Sequence, residues 1–156
     1  MISTRGRYAL RVMADMAEHG QGGYIRLDEI ALRQGISEKY LEGILAALSR
    51  EGLLEGHRGK GGGYKLTRPP EAYKIGEILW VTEGSLAPVA CLKEGAPACA
   101  LREKCRTLPL WEELYGVICE YFDGKTLADI LPKGDERRFG SGQALPLQAI
   151  KREHRP

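Results

Sequence analysis

Between Ile25 and Leu66 two short helical patterns hinge at Gly35 and run straight into Arg58-Gly59-Lys60-Gly61-Gly62-Gly63-Tyr64, a succession that few folds accommodate. Leu27, Ile30 and Ala31 recur at helical spacing, and Gly35 supplies the permissive backbone that a tight turn between two helices requires. Ser37 follows as an N-cap. Leu41, Ile44, Leu45 and Leu48 then fall at i, i+3, i+4 and i+7, one apolar stripe for a core, so the opposite face is polar. Ser37, Glu38, Lys39, Tyr40 and Glu42 occupy or border the first turn of this second helix, the end that a recognition helix presents to base edges in the major groove. Taken alone, the helices fit an ordinary helical hairpin with a solvated first turn equally well.

The next segment breaks that tie. Gly52 ends the helix, and Leu53-Leu54-Glu55 with Tyr64-Lys65-Leu66 flank a hairpin whose tip runs from His57 to Gly63. Four glycines with Arg58 and Lys60 make a slight, flexible, cationic finger, suited to a phosphate backbone or a minor groove. The expected fold is mainly α with a small β-hairpin wing: a winged helix-turn-helix followed by a long C-terminal dimerisation helix. Its expected partner is double-stranded DNA. A nucleotide-phosphate loop is the rival for any glycine-rich run, but neither G-x-x-x-x-G-K-[ST] nor G-x-G-x-x-G can be read here, and no helical pattern follows directly to present its N-terminus to a phosphate.

A net charge of +2 is small for such a partner, so its distribution matters more than its sum. Residues 1–70 hold 11 Lys+Arg against 8 Asp+Glu (+3), residues 71–131 hold 6 against 10 (−4), and residues 132–156 hold 6 against 3 (+3). The region expected to bind DNA, residues 1–70, is therefore basic. With 156 residues and 43% hydrophobic content, one core is expected. The basic start has no apolar signal region behind it, and no apolar run reaches membrane-spanning length, so a cytoplasmic protein with no membrane partner is expected.

The chain opens with Thr4 as a cap, and Ala9, Val12, Met13, Met16 and Ala17 mark an amphipathic core helix ending near Gly20. Arg5 and Arg7 at its start are candidate phosphate contacts, with a solvated pair of arginines as the equal alternative. Arg68-Pro69-Pro70 forbids further strand or helix after the wing, and Ile75, Ile78, Leu79 and Thr82 then mark a short helix stopped by Gly84. Pro109 sits where an N1 proline belongs, and Trp111, Leu114, Tyr115, Ile118 and Phe122 form a stripe at helical spacing. That stripe is the expected homodimer interface, the competing reading being that it closes the chain's own core. A two-fold pair of winged helices would bind a roughly palindromic operator. Residues 71–131 belong to the same compact domain, and residues 132–156, with Gly140-Ser141-Gly142 and little apolar periodicity, form an expected disordered tail.

Cys91, Cys99 and Cys105 lie in one stretch between the last two helical patterns, among Pro88, Gly95 and Pro97. In the cytosol clustered thiols point to metal binding or redox chemistry more often than to structural disulfides. The C-x7-C-x5-C spacing lacks any C-x2-C pair and fits a zinc ribbon poorly, whereas loop thiolates can wrap an iron–sulfur cluster with irregular spacing. Cys119 borders the apolar stripe and reads as a small buried residue. His19, His57 and His154 are scattered, and no catalytic set can be assembled from them, so an enzyme is not expected.

Over roughly residues 1–131 the chain resembles the Rrf-type family of bacterial winged-helix regulators, which includes IscR-like, NsrR-like and CymR-like members. The resemblance rests on Arg5-Gly6-Arg7-Tyr8-Ala9, on Gln34-Gly35-Ile36-Ser37 with Tyr40-Leu41-Glu42, on Arg58-Gly59-x-Gly61-Gly62-Gly63-Tyr64, and on the three-cysteine loop before Trp111. It implies a homodimeric transcription factor, a repressor, whose iron–sulfur cluster state sets its DNA affinity and which senses cluster or iron supply, oxygen or nitric oxide. In this sequence Ser37, Lys39, Tyr40 and Glu42 would read bases, Arg58 would enter the minor groove, and Cys91, Cys99 and Cys105 would hold the cluster, a [2Fe–2S] form being favoured over [4Fe–4S]. An IscR-like protein would place a histidine where this chain has Leu108, so the fourth ligand is open: Glu103, Glu112, Cys119, a residue of the partner subunit's N-terminal helix, or an exogenous group. The alternative is a cluster-free regulator using the cysteines as a thiol switch or zinc site, or governing cysteine metabolism as CymR-like members do.

Overall fold

The computed structural model describes residues 2–59 and 61–132. Lys60 and the tail from residue 133 onward, both subjects of expectations above, lie outside the described residues.

The first helix, α1, spans Thr4–His19. Its cap is Ser3 and not Thr4: Ser3 holds an extended backbone, and its Oγ accepts from the amides of Arg5 and Gly6. An N-cap must stand outside the helical conformation that Thr4 already adopts. Helix α2 covers Leu27–Gln34 and ends on Gly35 in the left-handed region at φ 63°, where a side chain would be strained. Helix α3 covers Glu38–Arg50. Ser37 precedes it at the expected place but makes no side-chain capping bond; its carbonyl accepts from Tyr40 and Leu41 instead.

Strands β1 (Leu54–His57) and β2 (Gly63–Leu66) pair antiparallel, Leu54 opposite Leu66 and His57 opposite Gly63. The hairpin is tied back to the linker before α2, where Ile25 and Tyr64 exchange two backbone hydrogen bonds of 2.9 Å. A Cβ on Gly63 would strike the Ile25 carbonyl, so this close approach requires glycine. After the wing, Pro70–Ala72 forms one 3-10 turn where no helix was expected. Proline is tolerated at the first position of a helical turn, where its missing N–H is not needed.

Helix α4 (Ile75–Glu83) ends at Gly84, φ 71°, as expected. The cysteine stretch follows, with 3-10 turns at Ala90–Leu92 and Arg102–Lys104, and leads to helix α5 (Leu108–Asp123). Ala9, Val12, Met13, Ile30, Leu41, Ile44, Leu45 and Leu48 form the main core with Leu53, Tyr73, Ile78 and Leu127, all nearly inaccessible. A second cluster joins Ile75, Leu79 and Leu86 to Tyr115, Ile118 and Phe122 of α5.

That second cluster divides the stripe expected to make a dimer interface. Tyr115, Ile118 and Phe122 face α4 of their own chain, because α4 carries apolar residues that would otherwise meet water. The apolar residues left exposed on α5 are Leu110, Leu114, Val117 and Tyr121, at 57%, 40%, 57% and 60% exposure. They recur at i, i+4, i+7 and i+11, a second face of the same helix. Cys119, expected to be buried, is half-buried.

Candidate nucleic-acid interface and cysteine loop

Ser37, Glu38, Lys39, Tyr40 and Glu42 are all exposed on the first turns of α3. Tyr40 is held from below. Its ring meets that of Tyr8 edge to face at 5.9 Å, and the Arg11 guanidinium covers Tyr8 at 5.3 Å. Arg11 also donates to the side chain and carbonyl of Gln34, at 3.1 and 2.7 Å. Beneath this lies Asp15, 3% exposed, which accepts a bidentate pair from Arg33 and a bond from the Gln34 amide at 2.9 Å. Burial alone would raise the Asp15 pKa, but the hydrogen bonds from Arg33 and Gln34 and the charges of Arg33 and His19 hold it below the usual carboxylate value. The turn of the helix-turn-helix is thus bolted to α1 through Arg11, Asp15 and Arg33, which sequence reasoning did not single out, together with Gln34, which it named only as part of a motif. Its only signal in the sequence was an acidic residue between Met13 and Met16 on an apolar face.

Arg5 and Arg7 are exposed but already engaged: Arg5 donates to the Gly43 carbonyl of α3 at 3.2 Å, and Arg7 to the Thr4 hydroxyl at 3.1 Å. Arg58 is exposed at the wing tip, where Gly59 and Gly61 take φ of 99° and 78°. Below the tip, Tyr24 donates to Glu55, Lys65 pairs with Glu55 at 3.2 Å, and the Lys65 ammonium lies 4.8 Å from the centre of the Tyr24 ring. The wing and α3 enclose an open groove lined by Glu38, Ser49, His57 and Arg58. A cationic hairpin beside the exposed first turns of a helix is the arrangement that places one element in a major groove and the other along the adjoining backbone.

The four cysteines Cys91, Cys99, Cys105 and Cys119 are free thiols, with Cys99 exposed and the others half-buried. Cys105 lies 3.5 Å from the Thr107 hydroxyl, and hydrogen bonding from Thr107 lowers its pKa. Among the described residues, no three His, Cys, Asp or Glu side chains come close enough to share a metal ion. In kind the donor set fits an iron–sulfur cluster, being three reduced thiols in one surface loop; in this arrangement they are not gathered. Of the fourth-ligand candidates, Glu112 is paired with Arg102 at 3.0 Å, and Cys119 lies beside the Tyr115 phenol.

Fold and site together define a winged helix-turn-helix transcriptional regulator. The Rrf2 family profile, described as an iron-dependent transcriptional regulator, matches residues 2–133, and the chain belongs to that family. IscR of Aliivibrio salmonicida is 32% identical over 144 residues, which cover 92% of this chain and 84% of that protein. Among solved structures, IscR of T. potens superposes with a TM-score of 0.65 at 35% identity, covering 91% of this chain and 93% of that one. CymR, the global cysteine regulator of B. subtilis, superposes with a TM-score of 0.64 at 38% identity, covering 83% of this chain and 94% of that one. These relatives are transcriptional regulators and not enzymes. Among the described residues, no helix is long and apolar enough to cross a membrane.

Proposed function

We propose that this chain is a homodimeric, cytoplasmic repressor whose affinity for a palindromic operator is set by an iron–sulfur cluster held by Cys91, Cys99 and Cys105. The observation that carries this reading is the placement of three free thiols in one surface loop between α4, which packs on the DNA-binding helices, and α5. When bound, the cluster would supply a centre that responds to iron supply, oxygen or nitric oxide. The exposed face of Leu110, Leu114, Val117 and Tyr121 is the surface on which a second copy would pack. Ser37, Lys39, Tyr40 and Glu42 read bases, Glu38 borders them, and Arg58 enters the minor groove.

The deciding test is the visible spectrum, with iron and sulfide analysis, of protein purified without oxygen. A brown protein that loses iron and sulfide when Cys91, Cys99 or Cys105 is changed to Ser, but not in Cys119→Ser, supports the reading. A colourless protein that binds DNA and takes up no cluster on reconstitution overturns it. That outcome would favour a thiol switch, or a zinc site whose thiolates gather only when the loop rearranges, since the three thiols are apart in this structure. Arg58→Ala weakens operator binding by about 1–3 kcal/mol and relaxes preference at one position, as expected for a groove-reading arginine; an unchanged footprint would remove the wing from the interface.

A further inference from the structure

Glu83 is the last residue of α4, and the cysteine stretch begins just beyond Gly84. Its carboxylate does not face solvent alone. One oxygen, Oε1, accepts three hydrogen bonds from the start of α1, 80 residues away in the chain: the Ser3 amide at 2.9 Å, the Ser3 hydroxyl at 2.8 Å and the Gly6 amide at 3.1 Å. The first amides of a helix have no partner within it, and a carboxylate there meets both those donors and the positive end of the helix dipole. This contact also accounts for the glycine in Arg5-Gly6-Arg7-Tyr8, which the reading of bases leaves unexplained. A Cβ on Gly6 would land on Oε1 of Glu83, so the helix must lack a side chain there for the carboxylate to lie against its backbone.

The same end of α1 holds the recognition helix. Arg5 donates to the Gly43 carbonyl of α3 at 3.2 Å, and Tyr8 carries Tyr40 at 5.9 Å. Ile2 and Leu10 pack on the cluster shared by α4 and α5, which fastens this part of α1 to the helices on either side of the cysteine stretch.

We propose that Glu83 is the positioning residue that couples the cysteine loop to the recognition helix: it seats the N-terminus of α1, and that end of α1 in turn seats α3 and Tyr40. Any rearrangement of the loop that shifts the end of α4 moves Glu83 directly, and the reading side chains move with it. The proposal rests on the DNA-binding role of α3, and its coupling to loop state rests on the sensor reading above.

The test uses the full-length chain and its Glu83→Ala, Glu83→Gln and Gly6→Ala variants, each checked for an intact thermal transition. In the metal-free, reduced protein, hydrogen exchange is followed at residues 4–10 and 38–44. Loss of the seat in Glu83→Ala accelerates exchange about tenfold at both segments. Glu83→Gln keeps an acceptor oxygen and recovers most of the protection. Gly6→Ala displaces the carboxylate and reproduces Glu83→Ala, and the two substitutions together are no worse than Glu83→Ala alone. Against a duplex selected from a random library by the wild-type protein, Glu83→Ala binds about tenfold more weakly with an unchanged salt slope, since no phosphate contact is lost. If a cluster can be reconstituted, the ratio of affinities with and without it collapses toward one in Glu83→Ala. Faster exchange confined to residues 4–10, with 38–44 and DNA affinity unchanged, overturns the proposal and reduces Glu83 to a helix cap. Wild-type protein that selects no duplex refutes the DNA reading instead, while the exchange at 38–44 still decides the mechanical link.

Discussion

From Ile25 to Leu66 and from Ser85 to Thr107 the chain does opposite things with its side chains. In the first stretch Ile25, Ile30, Ala31, Ile36, Leu41, Ile44, Leu45, Leu48, Leu53 and Leu54 are buried, and the hairpin is bonded at both ends. In the second only Leu86 and Ala87 are buried, the backbone makes two short 3-10 turns, and α5 beyond it has no fully buried residue. The contrast fits the two tasks proposed above. Groove reading needs side chains already held in place before DNA arrives, whereas a loop that responds to a metal or oxidant must change shape at small cost, and regions with few buried contacts open most readily. The two are joined through α1 and α4, which pack on each other.

The contrast is broken most forcefully in the core. Ile44→Ala, at a position 1% exposed, is expected to cost about 2–5 kcal/mol, read as a lower denaturation midpoint. A shift near zero would mean that the α3 stripe is not packed as described. Tyr73→Phe is smaller. The Tyr73 hydroxyl is fully buried, accepts from the amides of Thr67 and Arg68 at 2.8 and 3.0 Å and donates to the Leu53 carbonyl at 2.8 Å. Its removal strands these groups at about 1–3 kcal/mol, measurable by chemical denaturation, with the wing amides exchanging faster.

Asp15 sharpens the comparison through pH. Its folded pKa lies below the ordinary 3.8, so its ionised form contributes stability above that value, and the contribution is lost as pH falls through the lower folded value. Asp15→Asn should therefore be less stable than wild type near neutrality, with the two melting temperatures converging below about pH 4. Parallel curves across that range would show that Asp15 gains nothing from Arg33. The smallest effect belongs to the loop: Leu101, 66% exposed, should change stability by less than about 0.5 kcal/mol on conversion to Ala. A loss of several times that would mean the loop is packed after all.

Local rules made much of this architecture readable in advance. Gly35 and Gly84 end helices because they relieve left-handed strain, and the α3 stripe is buried at every position because period and face agree. The cap of α1 was misplaced by one residue because Ser3 and Thr4 are chemically equivalent cappers and only the backbone chooses between them. The α5 stripe is divided for a different reason: the helix is apolar on two faces, and which one its own chain covers depends on α4. Asp15, Tyr73 and Glu83 were missed because their partners lie 18, 20 and 80 residues away, beyond any periodicity. Likewise, three cysteines in one stretch announce a thiol chemistry, but their spacing does not say whether they meet.

The Tyr73 phenol closes the hairpin at its base, since Leu53 stands just before β1 and Thr67 just after β2. Between that clasp and the Ile25–Tyr64 tie the two strands are gripped from both sides, like the shank of a bit in a chuck, and among the described residues only the turn beyond His57 and Gly63 is left unheld by the body of the fold. A change in the length or charge of that tip would leave its mounting untouched.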